Sequence, residues 1–411
     1  MVSPELQIFS NEICMRNHSP RILYITRIWP RECGAHVRSL NILRALQQLG
    51  HVEVVGLEGV GSGSTANSDF EFTHTFRFEL RPNRGLSEKI KWTVDPELRF
   101  PNGLAVEDEA VRRILPCLGS FDLVWFSTLH AADMFPVAAW PNSVLDIDDL
   151  QSSHMRASLD TQTGMWAQVS ALRKAFVWKR REKLLGKRFT LLCTCSEGDR
   201  QYLTELGTEV PIHVIPNAFE KPGSEPVRSP VAPPRIGFIG FFEYAPNREG
   251  IQWFVDQCWP QIKAAVPDAR LRLVGKGSDA IRGILGCDVD PLGWLTDPSD
   301  EIRTWSAMVV PVRIGAGTRV KIAQAFSLKC PVVSTTLGAH GYAAVNECEM
   351  FLADTAASFS DACVRAMREP ALAAEIAERA WRRYLDHWTW EAVRPRVWAA
   401  AEDCLRLRAT A

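Results

Sequence analysis

Between Lys221 and Pro234 the chain reads KPGSEPVRSPVAPP, five prolines in fourteen residues. A proline has no backbone N–H and its ring clashes with the preceding helical turn, so neither a helix nor a central strand can run through this segment. It is read as a linker between residues 1–220 and 235–411. Within each half, short runs rich in Val, Ile and Leu alternate with longer amphipathic segments, the pattern of βα units on a parallel sheet. Strands are predicted at 21–26, 51–57, 121–127, 143–147, 189–194 and 212–215, then at 235–240, 270–274, 307–312, 331–334 and 350–353. The spacing of Leu40, Leu43, Leu46 and Leu49, with Gly50 behind them, predicts a helix over 34–49. Further helices are predicted over 248–266, 319–328, 357–367 and 372–385, and residues 59–69 (GVGSGSTANSD) are read as a mobile loop. The expected class is α/β: two doubly wound domains whose sheets turn their carboxyl ends toward one central cleft, where ligands of such folds bind.

With 47 Lys and Arg against 48 Asp and Glu, the formal net charge is −1, and no global basic field holds the chain on nucleic acid. Its longest apolar runs are far shorter than the roughly 20 residues that span a bilayer. Residues 1–20 carry Glu5, Glu12 and Arg16 and do not read as a secretory signal, which points to the cytoplasm. Eleven cysteines without a Cys-x-x-Cys pair read as core thiols, not as a disulfide framework or a zinc site.

A local imbalance stands out. From Ile302 to Asn346 there is no Asp or Glu, where the composition would place about five, yet Arg303, Arg313, Arg319, Lys321 and Lys329 all lie there. Inside this window PVRIGAGTRVK runs from an apolar strand through Gly315, Gly317 and Thr318 into a helix. Arg319 and Lys321 at a helix start are unfavourable beside the positive end of the macrodipole unless an anion joins them. A diphosphate meets that need, since Arg offers a fork and Lys a compact charge. Gly275-Lys276-Gly277 forms a second glycine turn after LRLV, without the spacing of a dinucleotide fingerprint. No Asp-x-Asp ends a C-terminal strand, so no metal is expected at the nucleotide. Asp146, Asp148 and Asp149 in VLDIDDL could supply a hydrogen-bond acceptor or base for a hydroxyl, or could cap the following turn. Residues 173–188 hold eight Lys or Arg and one Glu, with Phe176, Val177, Leu184 and Leu185 as apolar partners; they read as a solvated helix face or a peripheral membrane contact.

Read in order, GAHVRSLNILRALQQLGHVEV, TCSEGDRQYL, HVIPNAF, IGFIGFFEYAPNREGIQWF, RLVGKGS and PVRIGAGTRVKIAQAFSLKCPVVSTTLGAHGY resemble the glycosyltransferases of family 4 over most of residues 21–390. The resemblance implies the GT-B fold of two Rossmann-like domains, the first binding an acceptor and the second a nucleotide sugar, with the final helix able to pack back on the first. It implies transfer of a sugar to a glycan, lipid-linked or small-molecule acceptor with retention of configuration, without metal or other cofactor. On matching positions, Arg319 and Lys321 would hold the donor diphosphate, and Gly34 and Ala35 would form the loop facing it and the acceptor. Gly240 and Asn247 would border the donor pocket, with Gly275, Gly277, Gly315, Gly317 and Thr318 on its rim, and His130 would reach the transferred sugar. Asp148 would face the acceptor. The two glutamates that family members carry with seven residues between them fall at Ala316 and Gln324, and a glutamine at the second can still accept a ribose hydroxyl through its carbonyl. The alternatives are an epimerase or hydrolase of nucleotide sugars and a non-catalytic nucleotide-binding subunit.

Overall fold

A computed structural model describes residues 19–29, 34–59, 69–80, 104–157, 164–281, 286, 288–315 and 317–410. The first sheet contains β1 (Arg21–Arg27), β2 (His51–Gly59), β3 (His74–Leu80), β4 (Leu104–Val106), β5 (Leu123–Phe126), β6 (Ser143–Ile147), β7 (Leu191–Thr194) and β8 (Ile212–Val214). Its order is β4-β3-β2-β1-β5-β6-β7-β8. The second holds β9 (Arg235–Ile239), β10 (Arg270–Val274), β11 (Val289–Gly293), β12 (Ala307–Val310), β13 (Val332–Ser334) and β14 (Phe351–Leu352), ordered β11-β10-β9-β12-β13-β14. All neighbours are parallel except β3 and β4. Each order reverses once, between β1 and β5 and between β9 and β12. The loops leaving these four strands therefore flank the crevices where doubly wound sheets bind ligands.

Both sheets are buried on both faces, as parallel sheets require. On β1, Ile22 and Tyr24 join one apolar cluster while Leu23 and Ile25 join the other. On β12, Ala307 and Val309 face one way and Met308 and Val310 the other. The helix Trp390–Thr410 completes the first of these clusters: Val393, Val397, Ala400 and Ala401 pack with Ile22, Tyr24 and Trp125, and Trp398 donates to the carbonyl of Ala45 at 2.9 Å. The chain thus crosses between the sheets twice, and the crossings lie side by side, Phe219 N donating to Trp388 O at 2.9 Å.

Several predicted elements differ in extent. β3, β4 and β11 were not expected; β11 contains Pro291, which an edge strand tolerates, and β4 has three residues. The helix expected over 248–266 is Ala245–Trp253, a wide π-helical turn at 254–258, and Trp259–Ala265. Pro260 explains the break, because it cannot donate to the carbonyl of Asp256. The proline-rich segment has neither helix nor strand, yet it is pinned to the second sheet: Ser229 N donates to Arg303 O at 3.1 Å, and Arg228 reaches Ile302 O at 2.7 Å. Most of the loop expected at 59–69 lies outside the described residues; Gly59 ends β2, and Asp69 pairs with His36 at 3.1 Å. Among the described residues no helix is long and apolar enough to cross a membrane, and no three His, Cys, Asp or Glu gather as metal ligands.

Candidate active site

β12 stops at Val310 because Pro311 cannot continue the ladder, and the chain then winds through 311–319 into the helix Val320–Ser327. Arg319 is the extended residue at the helix cap, buried to 8% exposure, and its Nη1 donates to Gly317 O at 3.0 Å. Lys321, two residues on, points Nζ at the Asn247 side-chain oxygen at 2.9 Å and over the Phe238 ring at 3.9 Å from its centre. Burial, and then the Arg319 charge, hold its ammonium well below the usual lysine range. Among the described residues Lys321 forms no ion pair. Gly240, at the end of β9, borders both groups: a Cβ there would lie 2.8 Å from Asn247 Nδ2 and 3.0 Å from Lys321 Nζ. The turn 275–277 packs on the same edge, where Phe242 N donates to Lys276 O at 3.1 Å and Gly275 N to Gly293 O at 2.7 Å. Gly315 adjoins Pro246 and Arg319.

Across the cleft the carboxyl ends of β1 and β6 meet this loop. Gly34 faces Val320, whose Cγ2 would be 3.3 Å from an added Cβ. Gly34 and Ala35 were expected in a loop; they are instead the first residues of the helix Gly34–Leu46. Asn217 donates to Thr318 Oγ1 at 2.7 Å and to Asp148 Oδ1 at 3.1 Å, which ties Asp148 to the cation-bearing loop. Asp146 is not available to a substrate: it is fully buried and takes two hydrogen bonds from Arg38, at 2.8 and 2.6 Å. Arg38 also reaches Ile215 O and Asn217 Oδ1, so one buried network runs from the first sheet to the cleft.

Asp149 stands closest to the loop. Gly317 has φ +75°, and a Cβ on it would lie 1.7 Å from Asp149 Oδ1, so only glycine admits this carboxylate. Burial, then the neighbouring Asp148, raise the Asp149 carboxyl to about 8, with Arg319 opposing. Beside it His340 Nε2 lies 3.2 Å from Ser196 Oγ and 3.4 Å from Asp199, a second bridge across the cleft. Asp149, Ser196, Asp199 and His340 were not singled out from sequence as a unit. Only their meeting in space groups them, since 191 residues separate Asp149 from His340.

His130 follows β5, beside β1, in the short helix Leu129–Asp133 capped by Thr128. Burial lowers its imidazole to about 4, with Asp133 opposing, so it is neutral at pH 7. It packs edge-on to Trp178, 6.3 Å between ring centres, and no described hydrogen bond joins it to Arg319 or Lys321. Gln324 lies half-buried one turn beyond Lys321. The buried stripe of its helix is Ile322, Ala323, Ala325 and Phe326, and Val320 is half-buried against Gly34. Ala316 lies outside the described residues.

The comparisons with known proteins agree with this geometry. Residues 33–218 match the family model of the glycosyl transferase 4-like domain and residues 233–369 that of the glycosyl transferases group 1. No curated protein sequence matches the chain. Among solved structures, a sucrose-phosphate synthase from Thermosynechococcus elongatus superposes with a TM-score of 0.65 at 16% identity, over 95% of this chain and 100% of that one. Anabaena HepE in complex with UDP-glucose gives 0.63 at 15%, over 93% and 100%. S. aureus TarM, solved with UDP, gives 0.66 at 9%, over 93% and 99%. At such identities the superpositions speak for the fold, and together with the two family models they close the assignment: the chain belongs to the family 4, group 1 glycosyltransferases of GT-B fold.

Proposed function

We propose that the enzyme transfers a hexosyl group from a uridine-diphosphate sugar to an acceptor hydroxyl with retention of configuration, in the assembly of a glycan or glycoconjugate. The observation that carries this reading is the pair Arg319 and Lys321 in a loop without acids, with Lys321 half-buried against Asn247 and Phe238. Two adjacent cations at a helix start favour a polyanion, and a diphosphate spans both. HepE and TarM were solved with UDP or UDP-glucose, which supports uridine as the base. As the sugar leaves, charge develops on the diphosphate; Arg319, Lys321 and the first amides of the helix Val320–Ser327 stabilise it, with no metal needed. The departing diphosphate takes the acceptor proton on the face it leaves. His130, held neutral, is a hydrogen-bond partner for the sugar, Gln324 for the ribose, and Asp148 lies on the acceptor side.

The test is thermal shift with UDP, GDP, ADP and their glucose derivatives, followed by product analysis. A ligand that binds only the native state raises the melting temperature with its concentration. Stabilisation by UDP and UDP-sugar, with sugar transferred only when an acceptor is present, is the expected result. Free sugar released without acceptor would instead mark a hydrolase. UDP binding without turnover would mark a non-catalytic subunit, a reading that Gln324 in place of an acid motivates.

A further inference from the structure

The helix Met165–Lys183 departs from the sequence expectation. Val177 and Leu185, read as its apolar partners, are core residues, and Leu184 is half-buried. Upstream of them a different face is open: Met165 is 71% exposed, Trp166 82%, Val169 51%, Leu172 54% and Phe176 57%. At about 100° per residue, Met165, Val169, Leu172 and Phe176 share an arc of about 60°, and Trp166 lies about 60° beyond it. Arg173, Lys179, Arg180 and Lys183 fall within or beside the same arc, while Ala171, Ala175 and Trp178 bury the opposite side. Four large exposed apolar side chains on one face, with Trp166 flanking them, exceed the scattered single exposures normal for a folded surface.

The position of this face is fixed by Glu182. Ser152, just beyond the carboxyl end of β6, donates its backbone N–H to Glu182 at 2.9 Å, and Arg181 pairs with Asp133, just beyond β5, at 2.8 Å. The end of the helix is thus anchored at the rim of the cleft. Met165 lies seventeen residues earlier, so the open face begins about 25 Å along the axis from that anchor.

We propose that this face docks on an anionic phospholipid surface, with the apolar strip in the headgroup boundary and the basic residues against the lipid phosphates. Charge selects this occupant: a second copy of the chain would set Arg173, Lys179, Arg180 and Lys183 against their own duplicates, whereas an anionic bilayer neutralises them. The proposal rests on exposure and charge and is independent of the sugar transferred.

Vesicle flotation of the full chain tests it, with phosphatidylcholine alone or with about one-third phosphatidylglycerol, at low and high salt. Wild type should float with the anionic vesicles at low salt, and this should weaken at high salt. The pairs Trp166→Ser with Phe176→Ser, and Lys179→Gln with Lys183→Gln, should each lower partition by roughly tenfold or more, with melting temperature and UDP binding unchanged. The second pair keeps the apolar face intact, so a loss in both cannot be ascribed to misfolding of the first. Equal partition of wild type and both variants, or equal binding to neutral and anionic vesicles, would overturn the proposal. So would a concentration-dependent dimer in sedimentation that the Trp166 and Phe176 substitutions abolish.

Discussion

Two loops follow central strands and meet across the cleft, and they are opposites in charge. The one after β12 leads to Arg319 and Lys321 with no acid for 45 residues; the end of β6 and the turn after it carry three aspartates in four positions. In the first, Arg319 is buried at the helix cap and its charge is felt by Asp149, while Lys321 forms no ion pair among the described residues. In the second, each carboxylate has a different fate. Asp146 is neutralised by Arg38, Asp148 is held by Asn217, and Asp149 is pressed against Gly317 with its proton retained. Lys321, without an ion pair among the described residues, thus stands opposite a scaffold in which Arg38 and Asp146 neutralise each other.

The largest effect should come from breaking the compensated side. Asp146→Ala leaves Arg38 buried without its partner, at a cost of about 3 to 5 kcal/mol, whereas Asp146→Leu with Arg38→Met should recover most of it. Urea midpoints of the single and double variants check this, and equal midpoints for wild type and Asp146→Ala would refute the scaffold role. On the ligand side, Arg319→Ala and Lys321→Ala should each weaken UDP binding by about 1.5 to 3 kcal/mol, tenfold or more, with little loss of stability. Calorimetric titration with UDP reads it, and unchanged affinity in both variants removes the diphosphate assignment.

Asp149 joins the two loops and should show as pH dependence. Its native carboxyl titrates near 8 and its unfolded one near the ordinary 3.8. Between these values the native state binds the extra proton, so stability falls as pH rises from about 4 to about 8. Asp149→Asn should remove that slope, and it should also keep UDP affinity from declining above pH 8, where an ionised Asp149 would repel the diphosphate. Parallel pH profiles of wild type and variant would exclude this role. A smaller change is expected at Gln324: the alanine variant should lose about 0.5 to 1.5 kcal/mol of donor affinity, and Gln324→Glu should bind as well or better. Smallest of all is the effect of excess chelator, which should leave transfer unchanged; activity lost and restored by magnesium or manganese would show a metal at the diphosphate.

The ligand side was legible because its signal is compositional and local. An acid-free window, a proline ending a strand and two glycines before a helix can be read along the chain, and in the structure Gly240 and Asn247 adjoin Lys321, with the Arg319 charge nearby. The scaffold side was not, because its partners are remote: 108 residues separate Arg38 from Asp146, and no spacing rule links them. The same limit hid β3 and β4, whose burial depends on a neighbour already in place, and the open face of the helix Met165–Lys183. A basic amphipathic pattern shows that two faces exist, but which of them the fold covers is decided by Asp133 and Ser152 elsewhere.

The packing of the helix Trp390–Thr410 on β1 sets an order for biosynthesis. Residues 390–410 leave the ribosome after the whole second sheet, yet they fill the core begun by Ile22 and Tyr24. Until then the nascent first sheet keeps an apolar face open through the synthesis of more than 150 further residues, at about 5 to 20 residues per second. The early half is therefore the part that a chaperone would have to shield, and its maturation waits on a segment that is distant in sequence and late in time.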